Sequence, residues 1–240
     1  IDPHIGHEHI SKSYDVELSR LIDEIVRMGR LAAEQLAAAS DAMSLRDSEL
    51  AARVIDKDHA IDALEHEVSH DVLRLLALRQ PIARDLREVL AALRTASDIE
   101  RIGDYAANVA KRSIALNQVA PVPPAAALPQ LAQVAGSLLS EVLVAYRQRD
   151  AELAHSVWER DAELDQLYTA LFRELLTYMM EDPRNITPCT HLLFMAKNLE
   201  RIGDHATNIA ENVYFLVNGE PLAEARRKSD LTSSLTSPRD

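Results

Sequence analysis

The stretch "ERIGDYAANVA" at residues 100–110 recurs as "ERIGDHATNIA" at residues 200–210, with eight of the eleven positions identical. When the chain advances ~100° per residue, Ile99, Ile102 and Ala106 fall on one apolar stripe, and the second copy repeats this pattern. Each stretch is therefore predicted to lie within an amphipathic helix. Because the same charged, glycine-containing pentapeptide occurs in two helices, the sequence predicts two copies of one structural unit.

Two shorter repeats follow in the same order in both halves of the chain. "RDSELA" at residues 46–51 recurs as "RDAELA" at residues 149–154, and "DHAID" at residues 58–62 recurs as "DAELD" at residues 161–165. All three repeats are offset by 100 to 103 residues. A constant order and a nearly constant offset are typical of a duplicated domain.

The composition and the helix boundary signals both favour an all-α chain. Only 6 of the 240 residues are glycine and only 4% are aromatic, while 27% are charged, which is typical of a helical bundle. Asp47 and Asp150 stand at N-cap positions, and Pro81 and Pro183 mark the end of the second helix of each copy. These signals predict helices at residues 11–45, 48–79, 83–117, 128–148, 151–181 and 188–218.

The predicted architecture is two tandem three-helix bundles related by internal duplication. Three helices can enclose an apolar stripe that a single pair would leave uncovered. The bundles are expected at residues 10–118 and 128–219, with a proline-rich linker at residues 119–127. Residues 220–240 lose the apolar periodicity and are predicted to be disordered.

The formal net charge of -12 speaks against nucleic acid, and against an anionic membrane surface, as a direct partner. The single cysteine, Cys189, cannot form an internal disulfide. We find no run of about 18 apolar residues that would span a bilayer, and no signal-peptide pattern at the start. A cytoplasmic protein that meets a membrane only through its partners is the expectation.

The repeated carboxylates form a second stripe on the third helix of each copy. Glu100, Asp104 and Asn108 are spaced i, i+4, i+8 and stack on a face roughly opposite the apolar stripe, so we expect them to face outward. The second helices carry further carboxylates one turn apart, and all these positions recur in the second copy. The eight acidic positions are Asp58, Asp62, Glu100, Asp104, Asp161, Asp165, Glu200 and Asp204, with Asn108 and Asn208 as possible supporting ligands.

If the second and third helices of a copy lie side by side, four carboxylates converge and require a counter-charge from arginine or from a metal ion. Carboxylate and amide oxygens suit cations such as magnesium, manganese, calcium or iron. Two alternatives stay open at this point. In the first, the carboxylates form solvated faces whose charge is offset by Arg101 and Arg201. In the second, they contact basic helices of a partner protein and never hold metal.

Gly103 and Gly203 require a separate explanation, because a glycine inside a helix costs about 0.8–1 kcal/mol relative to alanine. Both lie between the apolar stripe and the carboxylate stripe. We predict that a neighbouring helix approaches so closely there that a side chain would not fit.

Several short patterns resemble catalytic motifs but lack residues that the chemistry requires. "HEVSH" at residues 66–70 matches a zinc-protease motif, but no third ligand follows and the second copy has no histidine there. The Glu-x-x-His pairs ending at His70 and His155 are not related by the repeat and would lie several turns apart along equivalent helices, so they cannot share a metal pair. The sequence has no phosphate loop and no nucleophile motif, so no enzyme is predicted; a metal-storage protein or di-metal helical enzyme is the alternative.

Three stretches resemble the PhoU family of bacterial phosphate-signalling proteins. They are "HISKSYDVELSRLIDEIVRMG", "SDIERIGDYAANVAK" and "LLFMAKNLERIGDHATNIAENVYFLVNGE", and the similarity extends over about residues 9–220. The resemblance implies a cytoplasmic all-helical protein of two three-helix bundles, often a homodimer. It also implies a non-enzymatic negative regulator of the phosphate-starvation response.

The resemblance further implies partners and a metal site. The partners would be the ATPase subunit of the phosphate ABC transporter and the membrane-bound phosphate-sensing histidine kinase. Family members carry E/D-x-x-x-D motifs that bind multinuclear metal clusters on the surface, and here these motifs fall on the eight acidic positions given above. The metal stays open among divalent and trivalent ions such as iron, manganese, magnesium, zinc and nickel.

Overall fold

A computed structural model describes the backbone at residues 3–79 and 83–222, and the regular structure in these ranges is helical throughout. The seven α-helices are α1 (Pro3–Leu45), α2 (Ser48–Lys57), α3 (His59–Arg79), α4 (Ala83–Leu116), α5 (Leu128–Gln148), α6 (Ala151–Glu181) and α7 (Ile186–Asn218). Short 3₁₀ helices at Pro123–Ala127 and Pro183–Asn185 precede α5 and α7. The all-α prediction is confirmed. Pro81 and most of the predicted disordered tail lie outside the described residues.

The two N-cap predictions are confirmed, with the same geometry in both copies. The Asp47 side chain accepts hydrogen bonds from the backbone N–H groups of Glu49 and Leu50, at 3.0 and 2.9 Å. Asp150 accepts from the equivalent residues of α6 at the same two distances. An aspartate cap satisfies backbone donors that the first turn of a helix leaves without partners.

The predicted single helix at residues 48–79 is wrong in one detail, because the helix is interrupted at Asp58. The backbone N–H of Asp58 donates to the Ile55 carbonyl, three residues earlier, at 3.3 Å. In the second copy α6 continues through the equivalent Asp161 without a break. The two copies differ in the neighbouring helix, since Gln35 of α1 donates to Asp58 whereas Leu138 occupies the same place in α5.

The bundles of α1–α4 and α5–α7 are packed side by side, a contact that the sequence analysis did not predict. α4 lies antiparallel to α7, so Asp98 meets His205 while Arg112 lies over the Phe194 ring. α1 packs on α5, where a Cβ added to Gly29 would collide with Leu143. Buried apolar side chains from both bundles therefore form one continuous core.

One apolar segment bears on the expectation that the chain does not span a membrane. Within the described ranges, Pro123–Gln148 meets the criteria of length and composition, with a mean hydropathy of 1.3. This segment is mainly α5, which packs against α1, α6 and α7. A helix with neighbours on several sides is apolar around most of its circumference, and the buried leucines of α5 belong to the bundle core.

Candidate functional site

The first set of carboxylates converges where α3 begins and α4 passes beside it. One oxygen each from Asp58, Asp62 and Asp104 lies within 4.8 Å of the others, and all three side chains are half-buried. Gln35 of α1 holds this arrangement, because its Nε2 donates to Asp58 Oδ1 at 2.8 Å and to the Gly103 carbonyl at 3.3 Å. The predicted convergence of the second and third helices is thus observed in the first copy.

Burial and like charge make full ionisation of this cluster unfavourable. The pKa of Asp58 is raised, mainly by burial and then by Asp62 and Asp104, although the hydrogen bond from Gln35 opposes the shift. The pKa of Glu100 is also raised by burial and by the charges of Asp104 and Asp62, against the opposing charge of Arg101. A nearby cation would reverse these shifts.

The donor set fits a hard metal ion. Three carboxylate oxygens within 4.8 Å of one another supply the ligand type that magnesium, manganese, calcium and iron accept. The fourth predicted ligand, Glu100, is three-quarters buried and lies near the same charges. Arg101 offsets part of the charge from the solvent side, with side-chain nitrogens 3.3 Å from Asp104 and 3.6 Å from Glu100.

The second set of carboxylates is more deeply enclosed, so the expectation that it faces outward is wrong. Asp161, Asp165 and Glu200 are 3%, 1% and 1% exposed, while Asp204 is half-buried. α7 is packed on three sides by α4, α5 and α6. The face opposite its apolar stripe is therefore covered by a helix, whereas an isolated amphipathic helix would turn that face to water.

A lysine that the sequence analysis missed lies in the second set. Lys197 Nζ is 2.9 Å from Glu200 Oε2 and 5.0 Å from the centre of the Tyr168 ring. The position equivalent to Lys197 in the first copy is Ser97. Comparing "SDIERIGD" with "KNLERIGD" would have revealed this difference between the copies. The second set therefore contains a cation of its own.

The two glycines of the pentapeptide lie at close helix contacts, as predicted. A Cβ on Gly103 would be 2.9 Å from Ile61 Cδ1 and 3.4 Å from Asp58 Oδ1. A Cβ on Gly203 would collide with Leu164 and lie 3.0 Å from Asp161 Oδ1. The missing side chain at each glycine thus leaves room for a carboxylate of the preceding helix, Asp58 in the first copy and Asp161 in the second.

The face of α7 that meets α4 carries a polar cluster. His205 Nδ1 lies 2.8 Å from Asp98 Oδ1, and Asn208 Nδ2 donates to the same oxygen at 3.3 Å. Arg201 donates to the Tyr105 hydroxyl at 3.1 Å. Asn208, predicted as a supporting ligand, therefore bonds across the contact between the bundles.

Comparison with known proteins agrees with this duplicated arrangement. The sequence model of the PhoU domain matches the chain twice, at residues 25–113 and 128–213. The chain belongs to the PhoU family. Each match contains one copy of the glycine-containing pentapeptide and both acidic pairs of its bundle.

Curated relatives and solved structures extend the PhoU comparison over nearly the full chain. The phosphate-specific transport system accessory protein PhoU homolog of Xylella fastidiosa (strain 9a5c) is 63% identical over 95% of this chain and 96% of its own length. The homolog of Rhizobium meliloti (strain 1021) is 48% identical over 98% of this chain and 100% of its own length. The crystal structure of PhoU from Pseudomonas aeruginosa has a TM-score of 0.84 at 38% identity, covering 86% of this chain and all of that one.

Proposed function

We propose that this chain is a non-enzymatic, cytoplasmic regulator of phosphate uptake that represses the phosphate-starvation response when phosphate is plentiful. The observation that carries the proposal is its near-full-length similarity to relatives named as accessory proteins of the phosphate-specific transport system. A further relative in the family, from Streptococcus pneumoniae, is named a phosphate transport system regulatory protein. The proposed partners are the ATPase subunit of the phosphate ABC transporter and the phosphate-sensing histidine kinase, and the proposed assembly is a homodimer.

The proposed regulator carries metal at its acidic sets. In the first bundle Asp58, Asp62, Glu100 and Asp104 would hold the ion, and in the second bundle Asp161, Asp165, Glu200 and Asp204 would do so. A bound metal would supply positive charge and a coordination position for phosphate or for an acidic group of a partner. Iron, manganese, magnesium, zinc and nickel are the candidates.

Two neighbouring residues would help the first set of carboxylates to bind a cation. Gln35 orients Asp58 from the core side, while Arg101 limits repulsion at the solvent side. The pKa values of Asp58 and Glu100 are raised mainly by burial and then by neighbouring carboxylates, and a bound cation would favour the ionised forms of both. Neutralisation by a metal would therefore stiffen the contact between α3 and α4.

Metal analysis of protein purified without chelator tests the site. We expect Glu100→Ala combined with Asp104→Ala to lose the metal of the first set, because two of its four ligands are removed. Glu159→Ala combined with Glu163→Ala is the matched control, since this acidic pair is also spaced i, i+4 but lies exposed on α6. Equal metal content in the wild type and in the Glu100/Asp104 variant would rule out the first site.

Gene deletion tests the regulatory role separately. We expect deletion to leave phosphate-starvation transcription active in phosphate-rich medium, and the wild-type gene to restore repression. Pull-downs with the transporter ATPase and with the kinase then identify the partner. Unchanged transcription after deletion would contradict the regulatory proposal whatever the metal content.

The burial of the second set favours a di-metal oxidoreductase as a second candidate. Asp161, Asp165 and Glu200 are enclosed, as the ligands of di-iron helical proteins are. Against this candidate, Lys197 already pairs with Glu200 and no histidine stands at the matching positions. Oxygen consumption by iron-loaded protein separates the two functions, and we expect none above that of free iron.

A further inference from the structure

A crevice of about 360 Å³ opens between α1 and α2 in the first bundle. Its walls are mainly apolar, and its rim is polar. The walls are formed by Leu31, Ala38, Leu50, Val54, Ala60 and Ile61. Glu34, Arg53 and Lys57 stand exposed at the rim. A concave apolar volume of this size, with a few polar groups, is typical of a small-molecule site.

The same place in the second bundle is occupied by an internal ion pair. Arg160 of α6 pairs with Glu141 of α5 at 2.5 Å and donates to Ser137 at 3.3 Å. Ser137 in turn donates to Glu141 at 2.7 Å. The guanidinium of Arg160 and then the hydroxyl of Ser137 hold the pKa of Glu141 below its usual value, as expected of a well-bonded carboxylate.

The helix register shows which residues of the first bundle are equivalent. The N–H of Asp47 donates to the Ala42 carbonyl, and the N–H of Asp150 donates to the Ala145 carbonyl. With this alignment Ala38 corresponds to Glu141, and Lys57 corresponds to Arg160. The first bundle thus has a cation at the position of Arg160, a methyl group at the position of Glu141 and Glu34 at the position of Ser137, and the crevice lies beside Ala38.

The rim cations Arg53 and Lys57 form no ion pair with any other side chain that the structure describes. Among the side chains that the structure describes, no carboxylate lies within 4.0 Å of a charged nitrogen of Arg53 or Lys57. Glu34 is near enough to line the crevice but pairs with neither. Two cations and one carboxylate leave the rim positive, although the chain as a whole carries a net charge of -12.

We propose that this crevice binds a small apolar molecule that ends in a carboxylate. The carboxylate takes the place that Glu141 fills in the second bundle, beside Lys57 and Arg53. The apolar part packs on Leu31, Ala38 and Val54, because the volume is far larger than one carboxylate requires. Charge complementarity and the filled second copy together define this ligand class.

Decanoate is the probe, and its binding to the full chain is followed by ¹⁵N–¹H chemical shifts. We expect saturable binding, with the largest shifts at residues 31–38 and 50–61. Decanol has the same apolar chain without the charge, and we expect it to bind about tenfold more weakly or worse, the equivalent of one charge-assisted hydrogen bond.

Ala38→Glu gives the first bundle the carboxylate that Glu141 supplies in the second bundle. The new side chain fills the crevice, so decanoate affinity should fall by at least about tenfold. Lys57→Met keeps the length of the side chain, removes its charge and should weaken decanoate binding, but not decanol binding. Lys57 is exposed, so this variant keeps the test valid if Ala38→Glu unfolds. Arg160→Met is the matched control in the second bundle and should leave the decanoate affinity unchanged.

Failure of decanoate to saturate the wild type would overturn the proposal. Equal decanoate binding by the wild type and by folded Ala38→Glu would do the same, as would equal affinities for decanoate and decanol. If Ala38→Glu instead weakens a pull-down of the kinase or the ATPase while decanoate does not bind, the crevice receives a protein side chain and the small-molecule assignment is wrong. Because Gln35 lines the crevice and also bonds to Asp58, all the binding measurements are made on metal-free protein in chelator; their failure would leave the regulatory role unaffected.

Discussion

At Gly203, α6 packs so closely against α7 that a Cβ would collide with Leu164. The Cα of Gly203 faces Leu164, which is fully buried and cannot move aside without disturbing the core. Asp161 of the second carboxylate set lies against the same position. The glycine therefore costs helix propensity but permits both a close packing contact and the placement of a carboxylate.

Gly203→Ala is expected to destabilise the protein by about 1–2 kcal/mol. Overpacking of a core typically costs about 1–3 kcal/mol, and the gain in helix propensity offsets at most about 1 kcal/mol. Gly136→Ala is the control, because its Cβ would meet only Leu36 at an ordinary 3.8 Å. We expect that variant to be stabilised in urea unfolding. If Gly203→Ala were as stable as the wild type, the packing of α6 on α7 would not require a glycine at this position.

Asp58 shows how charge and burial act together at one residue. Its pKa is raised by burial and then by neighbouring carboxylates. A carboxyl group whose pKa is higher in the folded than in the unfolded protein lowers stability at neutral pH. This loss disappears when the pH falls below the unfolded value of about 4.

Asp58→Asn should therefore stabilise the metal-free protein at pH 7 by a few tenths of a kcal/mol, the usual size for relieved like-charge repulsion on helices. The difference from the wild type should vanish near pH 4. Thermal unfolding in the presence of a chelator measures it. With manganese added the order should reverse, since the variant loses a ligand, and a variant less stable than the wild type in chelator would contradict the electrostatic argument.

At the scale of elements, the two helix pairs α3/α4 and α6/α7 have the same carboxylates but different counter-charges. The first pair has Arg101 at its exposed side and Ser97 one turn earlier. The second pair is enclosed and has Lys197 beside Glu200. An ammonium group close to a carboxylate competes with a metal ion for the same oxygens, so the two sets should differ in metal affinity.

Exchanging these residues tests that difference. Lys197→Ser should raise the manganese affinity of the second set, and Ser97→Lys should lower that of the first, each on the order of tenfold for one charge-assisted contact. Calorimetric titration measures both changes. Metal-free Lys197→Ser should also be less stable than the wild type, because the buried Glu200 carboxylate loses a cation 2.9 Å away. Unchanged affinities in both variants would exclude competition by the lysine.

At the scale of the whole molecule, contacts between the bundles join two repeated units into one folded body. α4 and α7 are paired along their length, and α1 packs on α5. The Arg149 side chain donates to the buried Glu88 of the other bundle at 2.8 Å. His205 and Asn208 reach Asp98 across the same contact.

We expect the metal-free protein to unfold in a single calorimetric transition. The continuous core makes neither bundle complete alone, because separation would expose one face of α4 and one of α7. Arg149→Met should lower the midpoint of that single transition without splitting it. Two resolved transitions in the wild type would show that the bundles are independent domains despite their contact.

Local signals in the sequence predicted most of the helices. Asp150 and Pro183 bound α6 because capping and the missing proline N–H depend on neighbouring residues only. The interruption at Asp58 was not predictable in this way, since Asp161 has the same local pattern and no interruption. Likewise, the i, i+4 spacing placed the carboxylates on one stripe but contained no information on which helix would cover that stripe.

The sequence by itself determined the duplication, the helical class and the stacking of Glu and Asp one turn apart, because repetition and periodicity are properties of a single segment. Only the packed structure shows that the second carboxylate set is enclosed, that Lys197 reaches Glu200, and that a crevice lies beside Ala38, the position equivalent to Glu141. Each of these depends on the distance between side chains of different helices. Such distances arise only when the helices pack against one another.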